Sequence, residues 1–237
     1  MNLDRRDLLA LGGTALIAAP LAAQMTTTAP PAAKPATHAP RPLPFDPKKL
    51  KGLSEKLLTS HHENNYGGAV KNLNKVEAEL AVITKDTAGF VVAGLKQSEL
   101  TFRNSMVLHE LYFENLGGDG KVAGAINDAA TSTFRSFARL EELLRATAMS
   151  EAGGSGWTIL GLSLHTGALT VSWSGNHTQT PAATLPLLVV DMYEHAYALD
   201  HGAAAAKYVD AFFANVRWDV VDRRLASAQK AKAALSP

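Results

Sequence analysis

The stretch Leu185-Pro-Leu-Leu-Val-Val-Asp191-Met-Tyr-Glu-His195-Ala-Tyr197 carries most of what the sequence says about fold. An apolar run of strand length, with Pro186 near its start, ends abruptly in a carboxylate, and a histidine follows four residues later. A carboxylate at the end of a buried strand needs a compensating partner, because leaving it unpaired costs several kcal/mol. No Arg or Lys lies between Thr170 and Lys207, so the usual cationic partner is absent nearby and a metal ion becomes the better reading. An aspartate combined with imidazoles makes a donor set of intermediate softness, suited to iron, manganese or zinc rather than to calcium or copper(I).

Working outward from this strand, two short apolar runs at 157–164 and 168–173, separated by His165-Thr166-Gly167, read as a β-hairpin that joins it in a small antiparallel sheet. Upstream, residues 50–80 are helix-friendly but interrupted at Gly67-Gly68, with apolar residues at helical spacing from Ala69 to Leu80. Residues 97–116 carry the same periodicity and stop at Gly117-Gly118, so the two segments form a helical hairpin. Further helices are expected over 122–130, 133–147, 203–215 and 218–234. The order is helices, then sheet, then helices: an α+β chain with an N-terminal antiparallel helical hairpin (42–118) and a C-terminal α/β lobe (119–237), whose three-stranded antiparallel sheet is flanked by helices.

Residues 1–23 read as an export signal peptide: Arg5-Arg6 precede an apolar run, 8–19, that is too short to span a bilayer comfortably. D-R-R-D-L-L resembles a twin-arginine signal, which implies a periplasmic or otherwise exported protein that keeps no membrane anchor after the signal is removed. Residues 24–41 are rich in Thr, Ala and Pro and read as a disordered or extended tether. Twenty-three basic against 22 acidic residues give a formal net charge of +1, which argues against nucleic acid as a partner. The absence of Cys excludes disulfides and thiolate ligands, so any metal is held by nitrogen and oxygen.

Of eight histidines, His38 in the tether and His165 at the hairpin turn are expected to be solvated. His109 shares one helical face with Phe102, Met106 and Phe113, where a single histidine is ordinarily a core residue satisfied by a hydrogen bond.

The motifs connect these residues. D-M-Y-E-H-A-Y at 191–197 resembles the D-x-W-E-H-A-Y signature of the iron/manganese superoxide dismutases, and K-Y-V-D-A-F-F-A-N-V-R-W at 207–218 is similar to the end of that family's chains. G-S-G-W at 154–157, H-E-L-Y-F-E-N-L from His109, H-H-E-N-N-Y-G-G-A-V-K-N-L-N from His61 and P-L-P-F from Pro42 fit in the family's order, over residues 42–225.

This resemblance implies the following. One iron or manganese ion is held by His61, His109, Asp191 and His195, with iron ahead and use of either metal close behind. Superoxide is the substrate. His177 hydrogen-bonds the metal-bound solvent, Ser105 offers no competitor for that role, Trp157 and Tyr193 wall the pocket, and Glu194 bridges to a ligand histidine of a second copy in a homodimer. A non-catalytic metal-binding relative and a zinc hydrolase are the alternatives. Asn65, Ala69 and Ala198 stand where the family places an entrance relay, leaving Tyr66 or His62 as substitutes, and Ala205 stands in place of a pocket arginine, leaving Lys207 for anion steering.

Overall fold

A computed structural model describes residues 37–235, so the expected signal and most of the expected tether lie outside the described residues. The described residues belong to one compact unit. Among them no helix is long and apolar enough to cross a membrane.

Helix α1 (Glu55–Ser60) starts where the Ser54 hydroxyl accepts from the Leu57 N–H at 3.1 Å. It runs without a break through a π-helical segment, His61–Tyr66, into α2 (Gly67–Leu80). The interruption expected at Gly67-Gly68 is therefore not there. Gly67 holds ordinary helical dihedrals (φ −60°), and the glycine cost of about 1 kcal/mol each is outweighed by burial of Leu57, Leu58, Tyr66, Val70 and Leu73. Helix α3 (Gly89–Glu114) completes the hairpin and starts eight residues earlier than its clearest periodicity suggested, over a stretch that leaves Phe90 exposed.

Two short helices follow, α4 (Ala125–Phe134) and α5 (Phe137–Ser150). They are separated by left-handed Arg135 and by Ser136, whose hydroxyl caps α5, and so lie a few residues later than the apolar spacing indicated. Strands β1 (Trp157–Ser163), β2 (Leu169–Ser174) and β3 (Thr184–Asp191) make an antiparallel sheet in the order β2-β1-β3. Pro186 is accommodated because β3 is an edge strand and the register slips between Leu160 and Gly161 opposite it. A four-residue turn of helix α6 (Ala198–His201), then α7 (Ala205–Phe213) and α8 (Trp218–Ala234), complete the chain. The expected α+β arrangement is what forms.

Two features position the site. Trp157 is paired with Ser174 on one side and Asp191 on the other, so these three residues make a row across one end of the sheet. The buried Asn115, just past α3, accepts from Val189 N–H at 3.1 Å and donates to the Leu187 carbonyl at 3.4 Å, which fixes α3 against β3. His38 corrects the expectation of a solvated histidine: its N–H donates to Asn74 Oδ1 at 2.8 Å and its ring lies 3.0 Å from Glu77 Oε2, so the end of the tether is tied to α2. His165 is exposed at its turn.

Candidate metal centre

Four segments converge at the sheet end. The strand run terminates in Asp191, which is fully buried; its Oδ1 accepts from the Tyr193 N–H at 2.9 Å, turning the chain so that His195, in the short turn Glu194–Ala196, faces back to the same carboxylate. The Asp191 carbonyl accepts from Tyr208 Oη at 2.6 Å, and Met192 N–H donates to the Gly156 carbonyl at 2.9 Å. His61 opens the π-helical segment and His109 lies on the buried face of α3.

Three imidazole nitrogens surround one oxygen. Asp191 Oδ2 is 3.1 Å from His61 Nε2, 3.2 Å from His195 Nε2 and 3.5 Å from His109 Nε2. The four donor atoms all lie within 4.8 Å of one another, the one such group of His and acidic residues among the described residues. His61 and His109 are buried, whereas the His195 side chain is 24% exposed, so the centre opens on one side.

The proton positions decide what the group can hold. His109 Nδ1 donates to the Ser105 carbonyl at 2.7 Å, which leaves Nε2 as a bare lone pair, and that buried atom has no hydrogen-bond partner. A lone pair aimed at a carboxylate 3.5 Å away is repulsive unless a cation lies between them. Burial alone would push the Asp191 carboxyl up, yet the attraction of His195 and the hydrogen bonds from His195 and His61 hold it well below the usual carboxylate range. Burial holds His61 neutral and lowers His109 to about 3. Three imidazoles and one carboxylate fit a borderline metal ion, and the buried unpaired Nε2 is the observation that calls for one.

The other singled-out residues take distinct places. A cleft of about 220 Å³ reaches the centre, and its lining includes Asn64, Asn65, Ala69, Ser105, His177 and His195. His177 Nδ1 accepts from the Trp157 indole N–H at 2.9 Å, so its own proton is on Nε2. Tyr193 stacks on His177 with centroids 4.7 Å apart and planes at 9°, and on His195 at 5.4 Å. Trp157 is fully buried, edge-on to His109 at 5.0 Å. Both rings back the histidines and do not line the cleft. Glu194 is exposed.

Tyr66 and His62 are not substitutes for the missing entrance groups. Tyr66 Oη donates to Glu110 at 3.0 Å and accepts from Arg41 N–H, while the His62 ring meets the Arg41 carbonyl; together they line a separate small cavity. Lys207 is exposed and outside the cleft lining.

Comparison with known proteins agrees with this geometry. Residues 122–224 match the family model for iron/manganese superoxide dismutases, C-terminal domain. The chain is 47% identical over 189 residues to superoxide dismutase [Fe] of Cupriavidus metallidurans, covering 79% of this chain and 96% of that one. The chain belongs to the iron/manganese superoxide dismutase family. Superoxide dismutase [Fe] of Aquifex pyrophilus is 35% identical, over 80% of this chain and 92% of its own, and superoxide dismutase [Mn] 1 of Halobacterium salinarum 31%, over 79% and 94%. Family members thus carry either metal in their names, and the donors found here suit both.

Sequence reasoning missed three contributors. The π-helical turn that presents His61 has no composition signature. Tyr208, which holds the Asp191 carbonyl, lay in a stretch read as helical and as similar to the end of the family's chains, with no role of its own. Asn104, which donates to the His177 carbonyl at 2.6 Å, faces a loop more than seventy residues away.

Proposed function

We propose that this protein is a superoxide dismutase in which His61, His109, Asp191 and His195 hold a single iron or manganese ion. The observation that carries this reading is the convergence of three imidazole Nε2 atoms on Asp191 Oδ2, with His109 Nε2 buried and unpaired, at the base of an open cleft. When bound, the ion supplies the one-electron oxidation and reduction by which two superoxide anions and two protons become dioxygen and hydrogen peroxide.

The chain's own residues do the rest. The Ser105 carbonyl fixes the His109 tautomer, and Tyr208 and the Tyr193 N–H fix Asp191. The Trp157 indole keeps the His177 proton on Nε2, where it is available as a hydrogen-bond donor to a molecule in the cleft. Burial lowers the pKa of His177, which keeps that ring neutral and single-protonated.

Iron is the preferred ion, with manganese also usable; the iron in the names of the relatives from Cupriavidus and Aquifex supports this order. The working unit is a homodimer. Exposed Glu194, with no side-chain partner among the described residues, beside a His195 that is 24% exposed, supports a second copy closing over the centre. Arg5-Arg6 ahead of the apolar run 8–19 supports export by the twin-arginine route to the periplasm, with the metal acquired before export.

The test is metal content and superoxide activity measured on one exported sample. About one iron or manganese per subunit with activity far above that of the free ions is expected. A metal-loaded protein no faster than free ions would make it a non-catalytic relative, and stoichiometric zinc would rule out redox turnover.

A further inference from the structure

Behind the centre lies a buried carboxylate that no step above uses. Glu151 follows α5, is 4% exposed, and forms no ion pair with an Arg or Lys among the described residues. Its donors are neutral and belong to two strands: Thr158 Oγ1 donates to Oε2 at 2.8 Å, and the Ser174 N–H to Oε1 at 3.3 Å. The carboxylate also presses on Gly156, where an added Cβ would come within 2.4 Å of Oε1. Glu151 therefore grips β1 and β2 at the end where Trp157, Ser174 and Asp191 form their row.

From Ser174 the connection continues to His177. Ser174 Oγ donates to the Asn176 carbonyl at 2.9 Å, and Asn176 Oδ1 accepts from the Thr178 N–H at 2.8 Å and from its hydroxyl at 2.7 Å. That turn brings His177 Nδ1 to the Trp157 indole. A desolvated acceptor supplied only by neutral groups is costly to keep: burial pushes the Glu151 carboxyl up to about 7. An alanine or leucine would fill an ordinary core at no such cost.

We propose that Glu151 is a positioning residue, which clamps the shared end of β1 and β2 so that the turn from Ser174 delivers His177 to Trp157 and aims its Nε2 into the metal cleft. This rests on the functional reading only for its effect on turnover; the geometric claim stands without it.

The carboxylate's role separates from mere filling by comparing Glu151→Gln with Glu151→Met. Glutamine keeps an acceptor for the Ser174 N–H and can donate to Thr158 Oγ1, which then turns round; methionine fills the space and offers no comparable acceptor. The assay is the crystal structure of each metal-loaded variant together with the midpoint potential of its metal. The Gln variant should retain the 2.9 Å contact between Trp157 Nε1 and His177 Nδ1 and the parent potential. The Met variant should lose the contact, shift the potential in the direction given by His177→Ala, and turn over about ten-fold more slowly. Should Glu151→Met fail to fold, Ser174→Ala, which cuts the link to Asn176 while leaving Glu151 in place, should displace His177 in the same way. An unmoved His177 in a folded Met variant, or in Ser174→Ala where that stands in, would overturn the proposal, as would a Gln variant that loses the contact. A parent enzyme inactive toward superoxide would leave the structural comparison decisive and strike only at the functional reading.

Discussion

Replacing Trp157 by Phe isolates one atom pair near the centre. The indole N–H that donates to His177 Nδ1 at 2.9 Å disappears, while a ring remains edge-on to His109. A buried hydrogen bond of this kind is worth about 1 kcal/mol net, and stranding its acceptor costs about 1–3 kcal/mol. Part of that cost is recovered when the proton of His177 moves to Nδ1, but the proton is then lost from the cleft side. With about 1–2 kcal/mol no longer holding the Nε2–H tautomer, kcat/KM toward superoxide should fall about five- to thirty-fold. Metal content should not change, since none of the four donors is touched. The assay is superoxide decay by pulse radiolysis, normalised to metal measured on the same sample, in the parent, Trp157→Phe, His177→Ala and the double variant. If Trp157 works through His177, Trp157→Phe adds little in the His177→Ala background. A loss of the same size in both backgrounds, or activity that falls only in step with metal, refutes the reasoning.

His195→Ala should abolish metal retention, because it removes one of three nitrogens around Asp191 Oδ2 at the open side of the centre, whereas His177→Gln should keep the metal and shift its potential; elemental analysis showing equal metal loss in both would overturn the assigned roles. Glu151 sets a pH window. Its folded pKa of about 7 lies above the usual 4.5, so the native state binds the extra proton and stability falls as pH rises from about 4.5 to about 7. The cost is fully present above that range and is on the order of 3 kcal/mol. Glu151→Gln should therefore melt higher than the parent at pH 8, with a smaller gain at pH 5; equal gains at the two values would count against a raised Glu151.

The helical hairpin and the sheet were legible because their apolar spacing is unambiguous, and the four converging donors were legible because each lies in a specific motif. What stayed hidden depends on contacts between distant segments. Gly67-Gly68 read as a break, yet neither glycine leaves the helical region, since the buried face from Leu57 to Leu73 carries the helix through. Glu151 lies past the helix expected over 133–147 and nothing in its local sequence singles it out; it is buried where β1 and β2 pack against it. His38 was assigned to the tether from composition, which says nothing about Asn74 and Glu77 on the helix it lies against. The tautomer of His177 is set by an indole twenty residues away and is in no sense a local property.

The cleft poses a different problem from the centre. The residues lining it include three asparagines, Thr101 and Ser105, but no Lys or Arg, and the Arg41–Glu110–Tyr66 network belongs to a separate cavity. An anionic substrate therefore meets a neutral, hydrogen-bonding entrance whose side chains supply no attracting charge. Against a single Asp191 carboxylate, a bound divalent or trivalent ion leaves the centre with a net charge of about +1 or +2, the main attraction acting inside the cleft. In salt solution such a field is screened over about 8 Å. Capture is thus decided within the cleft itself, which Asn64, Asn65 and Asn72 line with amide groups and where Trp157, by donating to His177 Nδ1, leaves the proton of that ring on Nε2.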